Sequence, residues 1–328
     1  MKTIELPHKT KTSRLGFGGT ILKGGSGRSE NLRMLNSAYE AGFRHYDVAP
    51  SYGLGVAESI LGEFIAPIRS HVTITTKVGL PRPKNPGLLA QLRGMVRPLI
   101  SFAPSLRRKL GRSVQRMSGS AATRFDLDFV KSSVDESFRE LKTDYIDLLL
   151  LHEITPEQVS DELYSYVQSL VNSGRIHAFG VGSYRHEAER VVHQCPNLAR
   201  IVQTSWSVGD KPLLLEPHTP FRITHGSIRK FQDIQNWLVS NKKLRDTLSK
   251  NIGYDLSNPD TLGDLMMAAA LSENRSGIVL VSSTKINRLR RHAEISTNES
   301  LITAGSKFNS LFSEYTNENS IGGQTNLK

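Results

Sequence analysis

The sequence predicts an α/β chain folded as a (β/α)8 barrel, and three observations carry that expectation. Short apolar runs alternate with amphipathic helical patterns along most of the 328 residues. The runs are continuously apolar, as in TITTKVG, DLLLL and IVLVS, the mark of strands covered on both faces by crossover helices. Eight such runs can be placed, and eight parallel strands favour a closed barrel over an open sheet.

The elements follow in order. The first strand is read at Leu15–Gly18. After it Ser29 is a candidate N-cap, Leu32, Leu35 and Tyr39 share one helical face, and Gly42 marks the stop. The next strands are read at Arg44–Asp47 and Val72–Thr76. Asp126 then opens a helix with Val130, Val134, Phe138 and Leu141 on one face, leading to a strand at Tyr145–Leu151. Leu163, Val167, Leu170 and Val171 line the next helix, which stops at Gly174 before the strand His177–Val181. The last three strands, Ile201–Thr204, Phe221–Thr224 and Ile278–Val281, lie in stretches without clean periodicity. The barrel is expected over residues 1–295, a C-terminal helix over 300–315, and a disordered tail from 316 to 328.

Composition excludes several classes. The single cysteine, Cys195, rules out an intramolecular disulfide and has no partner motif around it. The most apolar stretch, YIDLLLL, is far shorter than the ~20 residues of a membrane span, and MKTIELPHKTKTSR has no signal-peptide core. A cytoplasmic protein is expected. The net charge of +11 is concentrated: residues 81–124 hold ten Lys or Arg and no acid, leaving the rest of the chain near neutral. A nucleic-acid partner is disfavoured, because the segment has one aromatic residue, Phe102, to stack bases. It reads either as a solvated lid after the third strand or as a basic flap. A flap would dock an anionic or carrier-linked substrate, an acidic protein or an anionic membrane.

In such barrels chemistry collects at the C-terminal ends of the strands. Four polar side chains stand there: Asp47, Tyr52 in VAPSYG, Lys77 and His152. Taken singly they read as a loop cap, a rim aromatic, a solvated strand end and a structural histidine. Together they suit one reaction. A phenol is too weak an acid to work well at neutral pH, a neighbouring ammonium lowers its pKa, a carboxylate holds that ammonium, and a histidine orients a carbonyl oxygen.

The segments RLGFGGT, GFRHYDVAPSYGLGVAESILGE, TKVG, DLLLLHE and SGRIHAFGVGS resemble the aldo-keto reductase family across about residues 13–295. The resemblance implies a (β/α)8 TIM barrel, an NADPH/NADP+ cofactor bound without a Rossmann domain, and the tetrad Asp47, Tyr52, Lys77 and His152. Retention of His152 implies reduction of a carbonyl rather than of a steroid-type double bond. Gly19 and Thr20 would border the cofactor, with Asp47 beside it. Ser183 and Gln203 would hold the nicotinamide amide. VSSTKINRLRRH, aligned on Leu289, would place Ser282, Ser283 and Thr284 at a phosphate, Arg288 at the 2′-phosphate and His292 near adenine. No metal is expected. The sequence departs from the family at Ser282, where glycine is usual, at His292, where asparagine is usual, and at Gly182-Ser183, where Ser-Asn is usual. The tyrosine that usually stacks on the nicotinamide is absent from RITHGSIR, leaving His225 or a neighbour to replace it. The function implied is an NADP-dependent oxidoreductase acting on a small aldehyde or ketone. The alternative is a catalytically weak NADPH-binding barrel that serves as a redox-sensing or regulatory partner.

Overall fold

The structure, a computed structural model, describes residues 1–24, 27–83 and 122–321. Eight parallel strands close into a barrel: β3 (Leu15–Gly18), β4 (His45–Asp47), β5 (Thr73–Val78), β6 (Ile146–His152), β7 (Ile176–Gly182), β8 (Ile201–Ser205), β9 (Phe221–His225) and β10 (Ile278–Val281). Strand β10 pairs with both β9 and β3, which completes the ring. Each strand falls within two residues of its sequence expectation. Two short strands were not anticipated: β1 (Thr3–Glu5) and β2 (Lys11–Ser13) pair antiparallel ahead of the barrel. Three residues each are too few to give a readable alternation.

The helices are α1 (Arg28–Glu40), α2 (Ala57–Ile65), α3 (Leu127–Leu141), α4 (Asp161–Asn172), α5 (Arg185–Gln194), α6 (Phe231–Ser240), α7 (Lys242–Ile252), α8 (Pro259–Glu273), α9 (Ile286–Ile295) and α10 (Glu299–Ile321). Asp126 caps α3, its carboxylate accepting from Phe129 N–H at 3.0 Å. Ser29 does not cap α1: the N-cap is Gly27, with no side-chain bond, and Ser29 lies inside the first turn. In the same turn Arg28 Nε donates to Glu63 Oε2 at 2.8 Å, an exposed pair. Helix α10 runs to Ile321, into the stretch expected to be disordered. Phe308 and Phe312 are buried, and Trp237 of α6 meets Phe312 edge-on at 5.2 Å, so tertiary packing carries a helix that composition undersells. Residues 322–328 lie outside the described residues. No helix among the described residues is long and apolar enough to cross a membrane.

Strand alternation sorts the core. In β6, Leu149 and Leu151 join the layer between barrel and helices, whereas Leu148 and Leu150 join a smaller cluster with Ile201, Ile223, Ile278 and Leu280. Leu6, from the loop between β1 and β2, packs into that smaller cluster and seals the N-terminal end of the barrel. The axis of the barrel is thereby apolar and closed at this end.

The basic segment leaves and rejoins the body at the top of β5, where Arg124 N–H donates to Gly79 O at 2.9 Å. Most of it, residues 84–121, lies outside the described residues, as do the lid and flap readings that rest on it. Its two described cations are not free. Arg82 pairs with the wholly buried Glu58 of α2 and, at 3.1 Å, with Glu136, while Arg124 pairs with Asp126 at 2.9 Å. Two of the ten charges therefore serve the barrel itself.

Candidate active site

Period-two alternation aims every second side chain of a barrel strand at the axis. On β4 it sends Tyr46 outward, against Phe64 at 5.3 Å, and leaves Asp47 buried at the strand end. Lys77 shares its face of β5 with Thr73 and Thr75, His152 follows Leu148 and Leu150 on β6, and Gln203 follows Ile201 on β8. Tyr52 stands on a single 3-10 turn (Tyr52–Leu54) just beyond β4. The four residues of the expected tetrad thus meet at one mouth.

Their contacts define the chemistry. Lys77 Nζ donates to Asp47 Oδ1 at 2.6 Å and to Val48 O at 3.0 Å. Its ammonium lies 4.9 Å from the centroid of the Tyr52 ring. Burial works most strongly against the lysine charge, but Asp47 and then Tyr52 outweigh it, so its pKa stands above the usual value. For Tyr52 the balance falls the other way. Burial raises the phenol pKa, and Lys77 recovers only part of the rise. The ammonium alone would lower the value, as expected from the sequence, but the loss of water around the phenol outweighs it. His152 meets Tyr52 edge-on, with ring centroids 6.1 Å apart and planes at 83°. Burial first, then Lys77 and His225, push the His152 pKa down to about 3, so the imidazole is neutral.

Beside the tetrad lies a pair of unsatisfied polar groups. Gln203 spends its Nε2 on Asp47 Oδ2 at 2.9 Å, which leaves its Oε1 buried without a partner among the described residues. Ser183 Oγ is likewise buried and unpartnered, and Ser183 N–H donates to Gln203 O at 3.1 Å, tying the two together. An acceptor and a hydroxyl donor side by side match the NH2 and C=O of a carboxamide. The residues present therefore fit the nicotinamide amide. Gly19 is required by close approach: a Cβ there would lie 2.6 Å from Val48 Cγ1 and 2.9 Å from Asp47 O. Thr20, next to it, is exposed.

The last strand end differs from expectation in detail. Ser282 Oγ donates to Gly18 O at 2.9 Å, and Ser283 Oγ accepts from Lys285 N–H at 3.1 Å, so both hydroxyls are engaged in holding the loop. The sequence reading had assigned both to a phosphate. Anion binding here would fall to Thr284, which is exposed, and to the N–H groups opening α9. Leu289 is wholly buried and anchors that helix. Arg291 is held by Asp264, whereas Arg288, on the same helix, is exposed and forms no ion pair among the described residues. His292 lies one turn beyond Arg288, half-buried, with Nδ1 unpartnered and its pKa pushed down to about 4 chiefly by burial.

Sequence reasoning missed Glu58. It lies on the apolar face of α2, fully buried, where it accepts from Thr76 Oγ1 at 2.6 Å and from Arg82. The signal was present: an acid at helical spacing from Leu61 and Ile65 must find a partner. His225 closes β9 at the same end of the barrel and is exposed; loss of water around its ring lowers its pKa, with Asp47 and Lys77 acting on it in opposite directions.

The model of the Aldo/keto reductase family matches residues 14–208. An aldo-keto reductase of Bacillus subtilis is 26% identical over 183 residues, covering 54% of this chain and 45% of its own length. The chain spans under half the length of the curated relatives it matches first. Among solved structures, an aldo-keto reductase from Bacillus halodurans in its holo form superposes with a TM-score of 0.67 at 19% identity, covering 94% of this chain and 96% of that one. One from Klebsiella pneumoniae in complex with NADPH superposes with a TM-score of 0.62 at 16% identity, covering 95% of each chain. At those identities the structural likeness concerns the fold.

Proposed function

We propose, on the premise that this chain belongs to the aldo-keto reductase family, that it reduces a small aldehyde or ketone to the alcohol with NADPH, Tyr52 giving the proton. One observation carries this reading: a buried Lys77, charged by its pair with Asp47, lies against a protonated Tyr52.

The cofactor, when bound, supplies a hydride to the carbonyl carbon; Ser183 and Gln203 would hold its amide and Arg288 its 2′-phosphate. The neutral His152 orients the carbonyl oxygen without competing as an acid. As charge builds on that oxygen, Tyr52 passes its proton across, because an alkoxide is a far stronger base than a phenolate. Lys77 stabilises the phenolate left behind, and Asp47 keeps Lys77 charged and in place. A raised phenol pKa suits this order of events. It keeps the proton on Tyr52 until the oxygen needs it.

The second reading, a weakly active NADPH-binding partner protein, draws support from Ser282 and Ser283, whose hydroxyls are committed to the loop. NADPH oxidation by a panel of aldehydes, sugars and quinones separates the two. Turnover that depends on Tyr52 supports the enzyme. Tight NADPH binding with no turnover on any panel member overturns it.

A further inference from the structure

At the opposite end of the barrel, three potential ligands converge on one point. His8 comes from the loop joining β1 to β2, Asp147 from the start of β6 and His177 from the start of β7. One ligand atom of each lies within 4.8 Å of the others. Asp147 Oδ1 is 3.6 Å from His177 Nδ1 and 3.9 Å from His8 Nε2, too far for hydrogen bonds. Both nitrogens of His8 and Nδ1 of His177 are buried without a hydrogen-bond partner among the described residues. Leaving three such nitrogens unsatisfied is costly, and a common ligand would relieve it.

We propose that His8, Asp147 and His177 form a binding site for a divalent zinc-type cation at the N-terminal end of the barrel. The argument is geometric first. Zinc takes imidazole nitrogen and carboxylate oxygen at about 2.0–2.2 Å, so an ion can touch two atoms that are up to about 4 Å apart. Both measured gaps lie inside that reach. A tetrahedral ion brings its ligands to about 3.4 Å from one another, so the cluster must close by a fraction of an ångström on Asp147 and somewhat more between the imidazoles.

The surroundings prepare each ligand. Asp147 Oδ2 is occupied by Arg69 at 2.8 Å and Ile74 N–H at 2.9 Å, which leaves Oδ1 facing the two rings. His8 is held by a tight turn in which Leu6 and Lys9 N–H groups donate to Thr10 O and Leu6 O, with Lys9 at φ 67°. His177 stacks on Tyr145 at 5.0 Å. Its side chain is 34% exposed, giving the ion an entry and solvent a fourth position. The Arg69 charge beside the site weakens affinity, so binding below that of a closed structural zinc site is expected. The donor set of two imidazoles and a carboxylate favours zinc over magnesium or calcium.

An ion here would pin the β1–β2 loop, and with it the Leu6 plug, to β6 and β7. The inference is independent of the proposed function, because the site lies at the other end of the barrel from Tyr52. The test uses untagged full-length protein stripped with chelator and then titrated with ZnCl2 alone, read by calorimetry and by Tm. Binding of one equivalent is expected, with a Tm rise that saturates with it, unchanged turnover, and loss of both effects in His8→Gln and in His177→Gln. Magnesium should give neither. Absence of zinc binding in the wild type overturns the proposal. So does binding of equal stoichiometry and affinity in the double variant, which would assign the ion elsewhere, for example to Cys195.

Discussion

The two ends of the barrel hold nearly the same side chains and do different things with them. At the C-terminal mouth, Asp47 pairs with Lys77, Lys77 lies 4.9 Å from the Tyr52 ring centroid, and His152 adjoins that ring. At the N-terminal end, Asp147 pairs with Arg69, Arg69 lies 3.8 Å over Tyr145, and His177 stacks on that ring. A carboxylate, a cation, a phenol and an imidazole stand in both places. The difference is the cation and what it touches. Lys77 is a point charge beside the Tyr52 ring, 4.9 Å from its centroid. Arg69 is a planar fork that keeps its proton and spends its donors on Asp147, Tyr145 O and Val72 O. At the mouth the Lys77 charge stands against a phenol, whereas at the far end the Arg69 donors tie a carboxylate to two backbone carbonyls.

The largest expected effect tests that contrast directly. Tyr52→Phe should lower carbonyl reduction by about 10²–10⁴-fold while NADPH binding stays near wild type, since only the transferable proton is lost. Tyr145→Phe should leave turnover within a few-fold. Comparable losses from both, in steady-state assays with matched Tm values, would erase the distinction.

The cations should separate next. Lys77→Ala and Arg69→Ala each orphan a buried or largely buried carboxylate, a change that typically costs about 3–5 kcal/mol of stability. Both should melt earlier, but only Lys77→Ala should abolish turnover at temperatures where the protein is folded. Activity lost in proportion to unfolded fraction for both variants would contradict this.

Acid should act on both ends in the same direction. Fold-lowered histidines are neutral in the native state, while the unfolded chain takes a proton as pH falls below about 6.5. Their contribution is therefore present above that value and lost toward the native pKa, which is about 3 for His152 and about 4 for His45 and His292. The lowered pKa of Asp147 adds to the loss in the acid range. Denaturant midpoints should fall steadily between about pH 6.5 and 4, each histidine contributing up to about 1.4 kcal/mol per pH unit. His152→Gln should flatten the slope. A midpoint that does not change across this range would refute the account.

The smallest effect lies at the rim of the mouth. Arg288→Ala should weaken NADPH far more than NADH, by about tenfold or somewhat more, because a charge-assisted bond to the 2′-phosphate is worth roughly 1.5–3 kcal/mol and this residue is exposed. Fluorescence titration that finds equal weakening of both cofactors would remove Arg288 from that role.

The barrel was legible because both of its signals are local. Continuous apolar runs reveal strands buried on two faces, and 3.6-residue periodicity reveals helices, so even the weakly patterned Ile201, Phe221 and Ile278 strands fell where expected. The tetrad was legible because a strand end is a fixed address: Asp47, Lys77 and His152 each close an apolar run. What the chain could not declare was anything decided by a partner far away in sequence. Ser29 has the chemistry of a cap, but α1 begins before it, at Arg28, and leaves it inside the first turn. Residues 316–321 have the composition of a tail, but α10 packs and continues. Ser282 and Ser283 also bond within their own loop, to Gly18 O and to Lys285 N–H, contacts that no motif announces.

The sequence by itself determined the eight barrel strands, their order, and which polar side chains would stand at the mouth, since alternation and strand ends are properties of neighbouring residues. Tertiary structure alone decided the sign of the Tyr52 shift, because desolvation depends on everything that packs around a group and not on the charge beside it. It alone also brought His8 to Asp147 and His177 across more than a hundred residues, where the closing of the barrel and the fold of the β1–β2 loop made one place out of three.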